Sequence, residues 1–163
     1  MKKINLLLTG IVFIMLYTSC STSKEARGYE KSIHGRWQLE TVVTEGITGK
    51  IKAQIFNEAD FNCFIGSSWS FSLGNNLGQY EISKNGGECF SIKRDIRWSI
   101  YEAPNQPKLL QFKRLDTNLK EIDENSGGFR FTIVRLDNTK MQLRSEITFE
   151  GKPAAFIYNF VKY

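Results

Sequence analysis

Few side chains in this sequence have chemistry to offer, and their spacing matters more than their number. Cysteines stand at 20, 63 and 89, and His34 is the lone histidine. His34 precedes Gly35 with no serine or cysteine nucleophile evidently paired to it, so it reads as a surface or turn residue. Glu121, Asp123 and Glu124 fall in DTNLKEIDENSGG, a polar stretch with nothing apolar around it to raise a carboxyl pKa and make a general acid. Gly86-Gly87 and Gly127-Gly128 precede strands or loops rather than helices, which excludes a phosphate-cradling loop. Two of the cysteines could serve a metal, but no third or fourth ligand accompanies them. We expect no enzyme, no metal and no cofactor.

The first cysteine belongs to a different kind of chemistry. Met1, Lys2 and Lys3 form a positive start, and residues 4–16 are apolar apart from Asn5 and Thr9. That layout is a secretory signal, too short to span a bilayer comfortably. Tyr17-Thr18-Ser19-Cys20 resembles the lipobox of bacterial lipoproteins, with Tyr17 in place of the usual Leu. The resemblance implies that residues 1–19 are removed and that Cys20 is acylated as the new N-terminus. The alternative is ordinary cleavage near Ser19, leaving Cys20 free or paired. Residues 20–32 are poor in apolar side chains and read as a flexible tether. Acylation would leave Cys63 and Cys89 as an even pair in an oxidising envelope. Losing Lys2 and Lys3 lowers the formal charge from +5 to +3, too mild to imply nucleic acid. Lys93, Arg94 and Arg97, close to Phe90 and Trp98, then read as a solvated rim.

The remaining chain, residues 33–163, is about one domain by length. Period-two alternation recurs through it, and helical spacing does not. Strands are expected at about 36–44, 68–73, 78–83, 96–102, 108–115, 128–136, 139–149 and 154–163. In the second, Trp69, Phe71 and Leu73 alternate with serines, and Phe129, Phe131 and Ile133 or Phe156, Tyr158 and Phe160 repeat the pattern later. Each strand therefore has one buried face. Short and long connections alternate along the chain, which suits a meander with tight turns at one end and long loops at the other. The expected fold is an all-β, eight-stranded up-and-down antiparallel barrel. Residues 50–58, within the first long loop, are expected to form a short helix over the mouth.

Pairing Phe71 with Tyr80 and Trp69 with Ile82 extends to place Cys63 opposite Glu88. A one-residue bulge at Gly86-Gly87 would then bring Cys63 to Cys89, which predicts a disulfide.

Gly35-Arg36-Trp37 resembles the G-x-W motif of lipocalins. The run Cys63, Trp69-Ser70-Phe71, Gly78-Gln79-Tyr80, Cys89, Trp98-Ser99-Ile100 looks like the pattern of lipocalin-like lipoproteins of Bacteroidetes-type bacteria. The resemblance implies that Gly35 and Trp37 form the barrel's closed end, and it implies binding of a small apolar molecule. No T-D-Y motif is present, and the arginine that usually covers the tryptophan has no clear equivalent. Lys162 points the same way as Phe160 and could take that place over Trp37.

A barrel of eight strands is either filled by side chains or just wide enough for one small ligand. Large rings expected inside are Trp37, Trp69, Phe71, Tyr80, Trp98, Phe112, Phe129, Phe131, Phe156, Tyr158 and Phe160. Trp69, Trp98, Phe129, Phe131, Phe156 and Tyr158, nearer the long loops, are the candidate pocket wall. Arg114 shares the inward face of its strand with Leu110 and Phe112. It is either a snorkelling or loop-paired cation, or an anchor for the anionic head of an amphipathic ligand. Two functions follow: an envelope-anchored carrier of a small hydrophobic or amphipathic molecule, or a solid barrel that presents its loops to a protein partner. The expected setting is the outer membrane of a Gram-negative envelope, held by the lipid anchor, as a monomer with no nucleic-acid partner.

Overall fold

A computed structural model describes residues 23–49, 51–122 and 127–163. Cys20 and the signal, Lys50, Asp123 and Glu124 lie outside the described residues.

Eight strands close into one antiparallel barrel. They are β1 (Gly35–Glu45), β4 (Ser68–Phe71), β5 (Leu77–Ile82), β6 (Ile92–Tyr101), β7 (Leu109–Arg114), β8 (Phe129–Leu136), β9 (Lys140–Phe149) and β10 (Lys152–Lys162). Each pairs with its successor, and β1 pairs with both β4 and β10, which closes the ring. The expected strands and their up-and-down order are all present. Burial alternates strictly along β5 and β7, as a half-wet strand requires. Register slips at Glu40 in β1 and Val134 in β8, the local kinks that let a twisted sheet bend shut.

The register between β4 and β5 differs from the expected one. Trp69 faces Tyr80 and Phe71 faces Gly78, two residues along. A two-residue slip keeps every side chain on its face, so periodicity alone cannot detect it. Gly78 explains the choice: a Cβ there would sit 2.5 Å from the Ser70 carbonyl oxygen and 3.2 Å from Ile96. Only glycine fits the floor beneath Phe71. The expected bulge at Gly86-Gly87 is instead a tight turn, with Gly86 and Cys89 exchanging both backbone hydrogen bonds at 3.1 and 3.2 Å. This turn delivers Cys89 to Cys63, and the disulfide forms.

Residues expected as tether form a helix, α1 (Lys24–Ile33). Ser23 caps it by accepting from the Ala26 N–H at 2.9 Å. Ala26, Tyr29 and Ile33 recur at helical spacing, and Ala26 and Ile33 are fully buried under the barrel. The helix therefore bolts the bottom shut. Ser23 donates to Glu102 at 2.8 Å, and Lys108 bridges Glu102 and Glu25 at 2.7 and 3.2 Å.

The expected helix at residues 50–58 is corrected as well. This segment holds a miniature hairpin, β2 (Gln54–Ile55) and β3 (Ala59–Asp60), followed by a single helical turn, α2 (Phe61–Phe64). Three residues, Phe56, Asn57 and Glu58, join the paired Ile55 and Ala59; the first two have left-handed φ of 55° and 51°, and the Glu58 N–H closes the turn on the Ile55 carbonyl at 3.1 Å. Helical periodicity never had a chance to form across it.

Candidate functional site

At the closed end the buried polar groups are paired within the fold. Trp37 is fully buried, and its Nε1–H donates to the Ile33 carbonyl at 2.7 Å. Lys162 Nζ lies 4.9 Å from the centre of the Trp37 ring and donates to the Ser32 carbonyl at 3.0 Å. Gly35, with φ of 123°, makes room for this lysine: a Cβ would stand 2.9 Å from Lys162 Cε. His34 ends α1, and its Nδ1 donates to the Phe71 carbonyl at 2.8 Å, since a carbonyl only accepts. Its chemistry is spent on the fold. Trp98 packs toward this end. It lies 5.3 Å from Phe71 and donates through Nε1 to the Leu77 carbonyl at 3.1 Å, beside the β4–β5 turn. Its strand position relative to the long loops suggested otherwise because barrel strands tilt, so height cannot be counted along one strand.

The open end is built on different lines. The hairpin β2–β3 dips into the mouth as a finger, and its tip residue, Phe56, occupies the middle of the barrel. Ring centroids of Phe64, Trp69, Tyr80, Phe112, Phe129 and Phe131 lie 5.1–6.5 Å from it, and Tyr158 stacks on it at 5.9 Å. Of the expected wall, Trp69, Phe129, Phe131 and Tyr158 therefore converge on one ring. Phe156 instead packs on Phe61 at 5.5 Å, just above. The space left beside Phe56 is a void of ≈ 10 Å³, about one water at most. An open cleft of ≈ 310 Å³ runs down from the surface between the finger and β8–β10, reaching Phe129, Phe131, Phe156 and Tyr158.

Arg114 does point inward, and it meets the finger. Its guanidinium donates to the Asn57 carbonyl at 3.2 Å, stands 3.4 Å from Glu58 Oε1 and lies 5.8 Å from the Phe129 ring centre. Arg94, expected as a rim charge, grips the same carboxylate with two nitrogens: NH2 to Oε1 at 2.6 Å and Nε to Oε2 at 3.2 Å. The Tyr80 hydroxyl also donates to Oε2. Glu58 thus has both carboxylate oxygens engaged, and only 8 % of its side chain is exposed.

The electrostatics follow from that geometry. Burial alone would raise the Glu58 carboxyl pKa. Hydrogen bonds from Arg94 and Tyr80, with the charges of Arg94 and Arg114, outweigh it and hold the carboxyl below its usual range. Tyr80 is pushed well above the ordinary phenol value by burial and then by its bond to Glu58. Tyr158, buried, rises to about 12. At neutral pH the site is a carboxylate between two guanidiniums and a neutral phenol.

Sequence reasoning missed Phe56, Glu58 and Arg94 as members of one site. An Asn at 57 between apolar and acidic neighbours was the one local sign of a tight turn. The pairing of Glu58 with Arg94 spans 36 residues and leaves no local trace.

The finger's base is fastened to the rim. The Cys63–Cys89 bridge ties α2 to the turn at Gly86, and Lys84 donates to the Asn62 carbonyl at 2.7 Å. At the hairpin itself, Asp60 accepts from the N–H groups of Ala53 and Asn62 at 3.0 and 2.9 Å. Among the described residues, β2 and β3 pair only with each other. No group of three or more residues able to hold a metal occurs among the described residues. Glu121, from the acidic stretch, pairs with Lys113 at 2.6 Å and Arg97 at 3.3 Å on the barrel's outside.

No family model and no curated protein matches the chain. Solved structures similar to it include a lipocalin-like protein from Bacteroides uniformis, 13 % identical with a TM-score of 0.45, over 81 % of this chain and 99 % of that one. A bovine odorant-binding protein in complex with a selenium-containing odorant is 14 % identical with a TM-score of 0.42, over 88 % and 78 % of the two chains. The same bovine protein with its natural ligand is 12 % identical with a TM-score of 0.41, over 89 % and 77 %. These likenesses are remote, and it is the strand order that makes this chain a closed eight-stranded up-and-down barrel.

Proposed function

We propose that the barrel carries a small hydrophobic or amphipathic molecule in the space that Phe56 fills. One observation carries this reading: the centre is filled by a loop residue and not by the wall. Withdrawing a single hairpin would leave a chamber lined by Trp69, Tyr80, Phe112, Phe131 and Tyr158, entered from the existing cleft. Phe56 also holds a backbone conformation that costs an L-residue about 1–2 kcal/mol. Strain of that kind persists where the surroundings over-determine it, often at ligand clamps.

The setting we propose is a bacterial envelope, with the barrel held to the outer membrane through acyl chains on Cys20 and acting as a monomer. This rests on the signal-like start, the lipobox-like residues 17–20 and the resemblance of the Gly35-Arg36-Trp37 and Cys63 to Ile100 pattern to lipocalin-like lipoproteins. Two acyl chains or more would anchor it stably. Replacing Cys20 with Ala should move the protein from the detergent phase to the aqueous phase, and unchanged partitioning would refute the anchor.

The rival reading is a solid barrel that presents its loops to a protein partner, and the ≈ 10 Å³ void favours it. Methyl dodecanoate, an uncharged single-chain probe, separates the two by calorimetric titration. The carrier predicts binding by the parent and tighter binding by Phe56→Ala, which empties the chamber. Absence of binding to either protein would leave the solid barrel.

A further inference from the structure

Glu58 raises a question that filling the barrel does not answer. A finger meant only as a plug would need an apolar residue at 58. A carboxylate there must be stripped of water together with Arg94 and Arg114, whose side chains are 29 % and 10 % exposed. Ion clusters of this kind seldom stabilise a fold more than well-packed apolar groups would. The finger also places its two unusual residues in a fixed order, with the Phe56 ring deep among aromatic walls and the Glu58 carboxylate above it at the mouth. That is an apolar body with an anionic head.

Resting on the carrier reading, we infer that the finger is a built-in stand-in for the ligand, and that Arg94, Arg114 and Tyr80 form a carboxylate site for an anionic single-chain amphiphile that displaces it. The donor geometry suits such a head. Arg94 offers two nitrogens to the two oxygens of one carboxylate, at 2.6 and 3.2 Å, and Tyr80 adds a hydroxyl donor to one of them. A planar fork of that kind recognises a carboxylate by shape as well as charge. Arg114 supplies a second cation from the neighbouring strand β7, where it faces Ile96, two residues from Arg94, and it also holds the finger's Asn57 carbonyl. Displacement would therefore exchange one carboxylate for another on the same donors and one apolar body for another in the same chamber.

This exchange makes two separable predictions. The finger competes with every ligand, charged or not, so weakening its hold should tighten binding of all of them by the same factor. The arginines reward only a charged head, so they set the ratio between an acid and its ester. The experiment titrates the mature, oxidised protein with dodecanoate and methyl dodecanoate, below their aggregation concentrations. The parent should bind the acid about tenfold more tightly than the ester. Glu58→Gln should tighten both by a similar factor, on the order of tenfold. Arg94→Gln should cut the acid-to-ester ratio by several-fold, the remainder being held by Tyr80 and Arg114.

Equal affinities of the parent for acid and ester would overturn the carboxylate site while leaving the carrier intact. An acid preference undiminished in Arg94→Gln would overturn the assignment of that residue's fork to the head group. Unchanged or weaker dodecanoate binding in Glu58→Gln, with the variant melting cooperatively, would overturn the competition. Failure of the parent and Phe56→Ala to bind either probe would instead remove the carrier reading beneath it. The parent's ratio and the Arg94→Gln ratio decide the site even if Glu58→Gln does not fold.

Discussion

Both ends of this barrel are stopped by chain that is not part of its eight strands, yet the two stoppers are made of different interactions. At the bottom, α1 runs directly into β1, and everything it buries is apolar or fully paired: Ala26, Ile33, the Trp37 indole on the Ile33 carbonyl, and Lys162 shared between a carbonyl and a ring. At the top, the finger enters as a hairpin paired only with itself among the described residues, carries a phenylalanine at φ 55°, and is held by a cluster of charges. The bottom has no interaction that a solute could replace. The base of the finger is fixed by the Cys63–Cys89 bridge, but the interactions that hold its tip, ring on rings and carboxylate on arginines, are ones that a small amphiphile could make. The contrast separates a structural seal from an exchangeable one.

The heaviest blow to the structural seal is Trp37→Ala, expected to cost about 3–5 kcal/mol because it empties a fully buried aromatic site. Denaturant unfolding measures it, and a variant that unfolds like the parent would remove the distinction between the two ends. Next in size, Cys63→Ser with Cys89→Ser should cost about 3 kcal/mol through the freed loop. Hydrogen exchange should locate the loosening at the rim around residues 53–64 and not at α1. Loosening spread evenly over both ends would mean that the bridge does not serve the finger in particular.

Phe56→Gly should cost less than Trp37→Ala, about 2 kcal/mol, because relief of the left-handed strain at 56, which glycine alone gives, offsets part of the lost packing. A cost equal to that of Trp37→Ala would make the finger as permanent as the bottom.

The smallest effect is one of pH. Glu58 has a native pKa below its ordinary value of 4.5, so its contribution is fully present above pH 4.5 and is lost as pH falls through the lowered native value. The charged and titratable groups facing it are Arg94, Arg114 and Tyr80, all of which stay protonated throughout that range. The stability gap between the parent and Glu58→Gln should therefore shrink in acid below pH 4.5 and hold steady above it. A gap independent of pH would show that the carboxylate's charge is not what holds the finger.

How well each end could be read from sequence follows from the range of its interactions. The strands were legible because one wet face and one dry face repeat every two residues, as in Ser68 to Phe71, although Leu73, expected on the same dry face, lies exposed beyond the strand's end. The placement of Lys162 by Trp37 was also within reach, since the two face each other where the meander closes; the Cys63–Cys89 pairing was anticipated as well, but through a register two residues off and a bulge that is in fact a tight turn. α1 was legible in principle: Ala26, Tyr29 and Ile33 keep helical spacing behind a Ser23 cap, but polar neighbours make the stretch look like linker. The β4–β5 register was not, because a slip of two preserves the pattern and only the crowding around Gly78 decides it. The finger was the least legible of all. Its loop is three residues long, and its hold on the barrel comes from partners such as Arg94 and Tyr80, 36 and 22 residues away, that meet it only once the barrel has closed.

The central claim, that Phe56 occupies a ligand's place, is tested most directly by placing a fluorine on its ring and following its ¹⁹F resonance as dodecanoate is added. The account predicts that the resonance of a ring buried among aromatics is replaced by one at the shift of a solvent-exposed fluorophenylalanine, with the same midpoint as dodecanoate binding. Saturation of the protein with dodecanoate while the buried resonance stays unchanged would contradict it.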